Sequence, residues 1–319
     1  MSKPLISIVT PSFNQGHFIE QTLLSIKGQS YSNIEHIVAD GGSTDGTHDI
    51  LKRYEGTYNM RWSSEPDTGM YNAINKGFAQ AKGDIFAYLN TDDTYMPWSV
   101  EVAVDNFTKH PDVGLAHGGM LQATTDHSQL LRLQLPVKVN ALKTGHPLWQ
   151  PAVFWRREVY QKIDGFNEEL TYMGDVDFWR RAILFFNVLD IEEIMAIEYS
   201  HDKRFSVVNR RYMEKERQEL DSKYPPLSGA NFLHKLLRKL INRFGEKASG
   251  IVFIFSYFYR NKDRKNYPYA KLLSIDNFKI DDPWGFLFGC IPFCNKGYKS
   301  WSFHGKFEWT KTGLTYNRG

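Results

Sequence analysis

The run Ala87-Tyr88-Leu89-Asn90-Thr91-Asp92-Asp93 closes an apolar, strand-like stretch with two adjacent carboxylates. Hard oxygen ligands at a strand end suit a divalent cation, and such a cation can neutralise a diphosphate. The same four polar residues would also serve as a helix cap ahead of the Pro97 segment. A second strand-like run, Val38-Ala39-Asp40, likewise ends in acid and glycine and continues as Gly41-Gly42-Ser43-Thr44-Asp45-Gly46-Thr47. There Asp40 can build an Asx turn into the glycines, accept a ligand hydrogen bond, or do both.

The elements around these runs must bring them together. Leu5–Thr10, Ile34–Ala39 and Ile85–Leu89 are short β-branched or apolar runs, which reads as three strands. Between them His17–Lys27, Thr47–Tyr54 and Met70–Ala81 carry apolar residues at helical spacing. Gly28, Gly56 and Gly83 mark where those helices should stop. Strand–helix repetition predicts βαβ units, hence an α/β fold with a mostly parallel sheet sandwiched by helices. Asp40 and Asp92 then share the carboxyl edge of that sheet, where open α/β folds bind ligands. Further on, the pattern predicts a helix over 97–110 and a hairpin-like pair over 113–121 and 129–135. It then predicts a helix over 176–186, a strand near 191–199 and an exposed charged helix over 207–224.

In order along the chain, these pieces resemble the family 2 glycosyltransferases of GT-A, Rossmann-like fold. Ile6-Ser7-Ile8-Val9-Thr10-Pro11-Ser12-Phe13-Asn14-Gln15 is similar to that family's first strand and donor loop. The Asp40–Thr47 run resembles its nucleotide-binding loop, and Glu65-Pro66-Asp67-Thr68-Gly69 through Gly77 a second donor loop and helix. Asn90-Thr91-Asp92-Asp93 stands where the family has Asp-X-Asp. Gln150–Arg157 and Gly174–Arg181 look like the acceptor-side motifs. The resemblance spans residues 4–205, taken as the catalytic domain, and leaves 206–319 as a smaller basic, partly helical region.

The resemblance implies roles residue by residue. Thr10, Pro11 and Ser12 would border the base and ribose through backbone groups, and Asp40 would accept from a base N–H. Ser43, Thr44 and Asp45 would organise the turn. Asp67 would face the donor or cap the following helix. Asp92 would ligate Mn2+ or Mg2+, with His201 meeting the metal or diphosphate. Asn90, in the first acidic position of the motif, brings an amide oxygen in place of a charge, and with Thr91 it falls among the donor contacts. Direct ligation, sugar contact and helix capping are all open for Asp93. Asp175 aligns with the second residue of the family's Glu-Asp motif and is the candidate general base, while Gly174 replaces the glutamate. Asp177 should point elsewhere and pair with Arg180 or Arg181. His146, Trp149 and Gln150 would line the acceptor pocket, although Trp149 could equally be core; Trp179 reads as helix-face packing. A single base opposite the leaving group implies inversion.

Composition sets outer bounds. The overall charge of +3 hides an asymmetry: residues 1–200 carry 16 Lys and Arg against 25 Asp and Glu, and residues 201–319 carry 23 against 11. Such a basic tail needs a negative partner. At 232–244 apolar pairs alternate with Lys235, Arg238, Lys239 and Arg243, and the charge-free run Ile251–Tyr259 follows. That pattern fits an in-plane anchor on anionic lipid, or a helix pair packed on the catalytic domain. Nucleic acid is disfavoured because no recognition motif accompanies the cations. Only Cys290 and Cys294 are present, which excludes a disulfide framework. The expectation is cytoplasmic, peripheral at the inner membrane face, with no signal peptide and no spanning helix. The predicted activity is metal-dependent, inverting transfer of one sugar from a nucleotide-diphosphate sugar, a UDP-sugar foremost, to a glycan or lipid-linked acceptor. The missing Gln-X-X-Arg-Trp motif argues against a processive synthase. The rivals are a catalytically silent binding partner of the same fold and a nucleotidyltransferase; Pro11–Gln15 is a poor phosphate loop for the latter.

Overall fold

The computed structural model describes residues 3–125, 129–134, 148–201, 204 and 209–224, with strand residues 301–302, 306–310 and 313–317. Strands β1 (Ile6–Ser12) and β2 (Ile34–Asp40) are buried end to end, as β-branched runs between two helix layers should be. They pair in parallel from Ile6 against Ile34 to Ser12 against Asp40. Strand β3 (Met60–Ser64) joins the outer side of β2 in parallel, and β4 (Ile85–Tyr88) joins the other side of β1. The order β3-β2-β1-β4 reverses its winding between β1 and β4, so a crevice opens beyond their carboxyl ends. Asp40 and Asn90 sit on that edge.

Three crossover helices hold the strands: α1 (Ile19–Lys27), α2 (Thr47–Tyr54) and α3 (Met70–Ala79). On one face Ile19 and Leu23 of α1 and Leu51 of α2 pack with Val38 and Met60. On the other, Tyr71, Ile74 and Phe78 of α3 pack with Val9, Phe86 and Trp155. Gly77 allows this approach, since a Cβ there would lie 2.5 Å from Val9 Cγ1.

Beyond β4 the sheet turns mixed, because strand–helix alternation ends there and direct returns favour antiparallel pairing. Strand β5 (Asp93–Tyr95) runs antiparallel to β9 (Asn187–Ser200), which in turn lies parallel to β6 (Val113–Thr124). Strand β7 (Gln129–Gln134) completes the expected hairpin with β6, and β8 (Val153–Arg156) sits antiparallel between β4 and β6. Helix α4 (Ser99–Lys109) backs this half, and α5 (Arg157–Lys162) follows β8. Helix α6 (Gly174–Ala182) then carries the second acidic motif. Among residues 301–317, β10 (Trp301–Ser302) pairs with β7, and β11 (Lys306–Thr310) pairs with β12 (Gly313–Asn317).

One expectation needs correction. Asp93 caps no helix: it opens β5 opposite Glu198, and α4 starts at Ser99 without a side-chain cap. Helix α7 (Arg210–Lys223) is charged and mostly exposed, as expected, and its inner side is anchored on the segment around α6. Leu220 packs on Met173 and Val176, Arg180 pairs with Asp221 at 2.5 Å, and Glu216 accepts three consecutive amides described below. Its charged composition hid these specific anchors. The basic–apolar stretch 232–265, His146 and both cysteines lie outside the described residues. Among the described residues no helix is long and apolar enough to cross a membrane.

The interior sets an acid limit on stability. His36 lies fully buried in β2, where its ring nitrogens meet Tyr58 Oη at 2.7 Å and Thr10 Oγ1 at 2.9 Å. Burial drives its pKa down from 6.5 to about 3. The unfolded chain therefore binds the extra proton first. Stability is full above pH 6.5 and should fall by up to about 1.4 kcal/mol per pH unit from there towards pH 3. Urea unfolding at pH 7 and pH 5 checks this: His36→Gln should flatten the difference between the two midpoints.

Candidate functional site

The donor side is built where two loops interlock. Asp40 ends β2 and is almost fully buried. Its carboxylate accepts Ser43 Oγ at 2.5 Å, the Gly42 and Ser43 amides at 3.1 and 2.9 Å, Ser64 Oγ at 2.7 Å and His48 Nε2 at 2.8 Å. Burial alone would raise its pKa, yet the bonds from Ser43, Ser64 and His48 outweigh it and hold the group below the usual range. The Asx turn is thus present. Ser43 Oγ also accepts the Asn14 amide at 2.7 Å, and Asn14 Oδ1 accepts the Thr44 amide at 2.8 Å. Asp45 accepts the Gly16 amide and Thr47 Oγ1, so the loops after β1 and β2 move as one body. Thr10 and Pro11 lie within the β1–β2 ladder, and the Thr10 side chain turns to His36. Ser12 Oγ is buried without a protein partner. Phe13 was not singled out from the sequence; it is 59% exposed and its ring edges Gly41. The Asp67 carboxylate lies over Gly41, where any Cβ would strike it. It accepts the Gly69 amide at 2.9 Å but caps no residue of α3.

The residues expected at a metal lie just past β4. Thr22 Oγ1 of α1 holds the Thr91 and Asp93 carbonyls at 2.8 and 2.7 Å, fixing the Asn90–Asp93 turn. Asp92 Oδ2 meets His201 Nε2 at 3.2 Å, with the His201 ring stacked on Phe18 at 4.3 Å. The sequence places these two residues 109 positions apart; the β5–β9 pairing brings them together. Asp93 is buried, and burial with the neighbouring Asp92 charge pushes its carboxyl well above the usual range. Asn90 Nδ2 donates to Gln150 Oε1 at 3.1 Å, and Gln150 Nε2 donates to the Tyr88 carbonyl at 2.8 Å. Gln150 therefore braces the end of β4 from beneath, with both halves of its amide occupied. Trp149 packs against both main core clusters. Asn90 Oδ1 is left buried with no protein partner.

The base end is α6. Asp175 is partly exposed, and its Oδ1 accepts the Val176 amide at 2.8 Å. Burial raises its pKa to about 6, against the lowering effect of Val176 and the Tyr71 hydroxyl. Asp177 is buried and pairs with Arg181 at 2.7 Å, as expected from the i,i+4 spacing. Arg181 in turn donates to the Gly165 carbonyl at 2.8 Å. Glu216 of α7 accepts the Thr171, Tyr172 and Met173 amides at 2.9, 2.8 and 2.9 Å, fixing the approach to Asp175. From α3, Asn75 and Asn72 grip Glu168 at 2.7 Å each. The motif Tyr71–Gly77 thus acts largely as a clamp between the donor loop and the base helix.

Tyr88, at the end of β4, is buried; burial raises its hydroxyl pKa, and the charges of Asp175 and Asp93 push it further. A separate cleft of about 880 Å3 runs between Asn75, Glu168, Asp177, Arg181 and Lys223. None of Asp40, Asp92, Asp175 or His201 lines it.

Known proteins agree with this architecture. The model for Glycosyl transferase family 2 matches residues 7–158. An uncharacterized glycosyltransferase of Mycobacterium tuberculosis is 31% identical over 186 residues, covering 57% of this chain and 70% of that protein. A Bacillus subtilis glycosyltransferase named for teichuronic acid biosynthesis is 40% identical over 95 residues, 29% of this chain and 38% of its own length. A mannosyltransferase from Pyrobaculum calidifontis, solved with GDP-Man and Mn2+, superposes with a TM-score of 0.57 at 15% identity, covering 91% of this chain and 86% of its own. The fold is GT-A. The chain belongs to glycosyltransferase family 2.

Proposed function

We propose that this glycosyltransferase transfers one sugar, with inversion, from a nucleotide-diphosphate sugar to a hydroxyl of a glycan or lipid-linked acceptor. The observation that supports this reading is the Asp92–His201 contact of 3.2 Å just past β4, at the sheet edge where Asp40 ends β2. UDP is the favoured donor nucleotide. The Asp40 turn and the exposed Phe13 ring would hold the base, and Asp67 over Gly41 would border the donor. Kinship with a protein named for teichuronic acid synthesis supports a cell-surface polysaccharide setting. The basic tail would rest on anionic lipid at the cytoplasmic face.

A divalent cation fits the residues present. The Asp92 carboxylate and the His201 ring nitrogen, 3.2 Å apart, would hold it. Among the described residues no group of three His, Cys, Asp or Glu is placed to hold a metal ion, so its further ligands would be phosphate oxygens and water. When bound, Mn2+ or Mg2+ supplies charge neutralisation for the departing diphosphate. Asp175, ionised above pH 6, takes the acceptor proton as its oxygen bonds to the anomeric carbon and the bond to the diphosphate breaks.

A thermal-shift panel tests the reading. UDP-, GDP- and dTDP-sugars, each with Mn2+ and with EDTA, should single out one donor. At a hundredfold excess over Kd it should stabilise the fold by about 2.7 kcal/mol, and EDTA should abolish the shift. No shift with any donor counts against the proposal. A donor shift without transfer to any acceptor would favour the silent-partner reading, for which the uncharged Asn90 speaks.

A further inference from the structure

We propose that Tyr71 is a positioning residue for Asp175, its hydroxyl fixing the main chain of that residue at the start of α6. This rests on the reading of Asp175 as the base. Tyr71 stands in the first turn of α3 and is buried. Its oxygen receives the Asp175 amide at 3.3 Å. Burial and the Asp175 charge push the phenol well above its ordinary value of 10, so it stays protonated wherever the carboxylate is ionised. The ring stacks on Phe166 at 5.8 Å, which leaves the hydroxyl little freedom.

Gly174 gains a reason from the same contact. A Cβ at position 174 would lie 2.5 Å from Tyr71 Cε2 and 2.7 Å from Cδ2. Its φ is not in the left-handed region, so conformational freedom is not what selects glycine there. The missing side chain is the space that Tyr71 fills. The glutamate expected at this position is thus replaced by a phenol reaching in from α3. Because Asp67, on the turn just before α3, lies against the donor loop, one short segment registers both halves of the site.

The test needs no ligand in its first arm. With 13C-labelled aspartate carboxyls, the Asp175 resonance is assigned by its loss in Asp175→Asn and titrated in the wild type and in Tyr71→Phe. Loss of the hydroxyl, which lowers the Asp175 pKa, should move the midpoint from about 6 upwards. In the second arm, kcat with the donor chosen by the thermal-shift panel should fall about tenfold, with KM for that donor unchanged. Gly174→Ala should show the same pattern through displacement of the ring. An unmoved midpoint in Tyr71→Phe overturns the proposal, and so does a moved midpoint with undiminished kcat. Full activity of Asp175→Asn would instead sink the base assignment, whatever Tyr71→Phe does.

Discussion

Asp175→Asn is expected to abolish transfer while making the folded protein more stable. Removing a general base typically costs 10²–10⁴-fold in rate, so kcat should fall by about that range with donor affinity unchanged. The wild-type acid limb should follow the same group: kcat/KM should drop tenfold per pH unit below about 6. The stability change has the opposite sign for a clear reason. The folded pKa of about 6 stands above the reference 3.8, so the native state binds the proton more tightly. Stability from this group is complete below pH 3.8 and is lost as pH rises through 6. At pH 7 the buried charge costs at most about 3 kcal/mol, less in practice because the carboxylate keeps some water. Asparagine removes that cost and can still accept the Val176 amide. Urea unfolding at pH 7 should therefore show a higher midpoint for the variant, and at pH 3.5 the two proteins should converge. A variant that loses activity and stability together would mean that Asp175 is structural.

The first half of the fold was legible because its strands and helices alternate with strong local patterns. Helix α2 matches its sequence bounds, Thr47–Tyr54, and β1, β2 and β4 fall within two residues of expectation. Strand β3 was missed because Met60-Arg61-Trp62-Ser63-Ser64 is half polar and sits at the sheet edge. Strand β5 has three residues and exists only through its pairing with β9. Residues 153–156 read as part of a motif rather than as β8, since a run of four carries no period of its own. For the site, the residue types announced carboxylates at strand ends, and α6 and the β9 terminus supplied Asp175 and His201. Support was harder to read. Gln150 looked like an acceptor contact because its motif was recognised, whereas its partners, Asn90 and Tyr88, lie about 60 residues away. Glu216 and Tyr71 carried no signal, because neither clamp is local: Glu216 acts on amides about 44 residues upstream, and Tyr71 on a helix 104 residues downstream.

Loss of the other acid should separate binding of the cation from protonic chemistry. Asp92→Ala leaves His201 as the one remaining proposed ligand among the described residues, since Asp93 is buried, disfavours ionisation and begins a paired strand. One neutral imidazole holds Mn2+ or Mg2+ weakly, because both are hard ions that prefer carboxylate oxygen. Transfer should fall by roughly 10²–10³-fold, the scale of removing one preorganised electrostatic stabiliser, and the EDTA-sensitive part of the donor thermal shift should disappear. His201→Ala removes the weaker ligand for a hard ion and keeps the charge. Raising Mn2+ into the millimolar range should rescue much of its activity, and the same rescue should fail for Asp92→Ala. Titration of the Mn2+ electron-spin signal into each variant, with UDP present, reads the two affinities directly. The stacking of His201 on Phe18 supplies an internal control. Phe18→Leu frees the ring without deleting the ligand, so its Mn2+ affinity should fall between wild type and His201→Ala. If Asp92→Ala binds Mn2+ as tightly as wild type, the cation sits elsewhere, and the 3.2 Å pair is only a hydrogen bond that closes β9 onto the turn after β4.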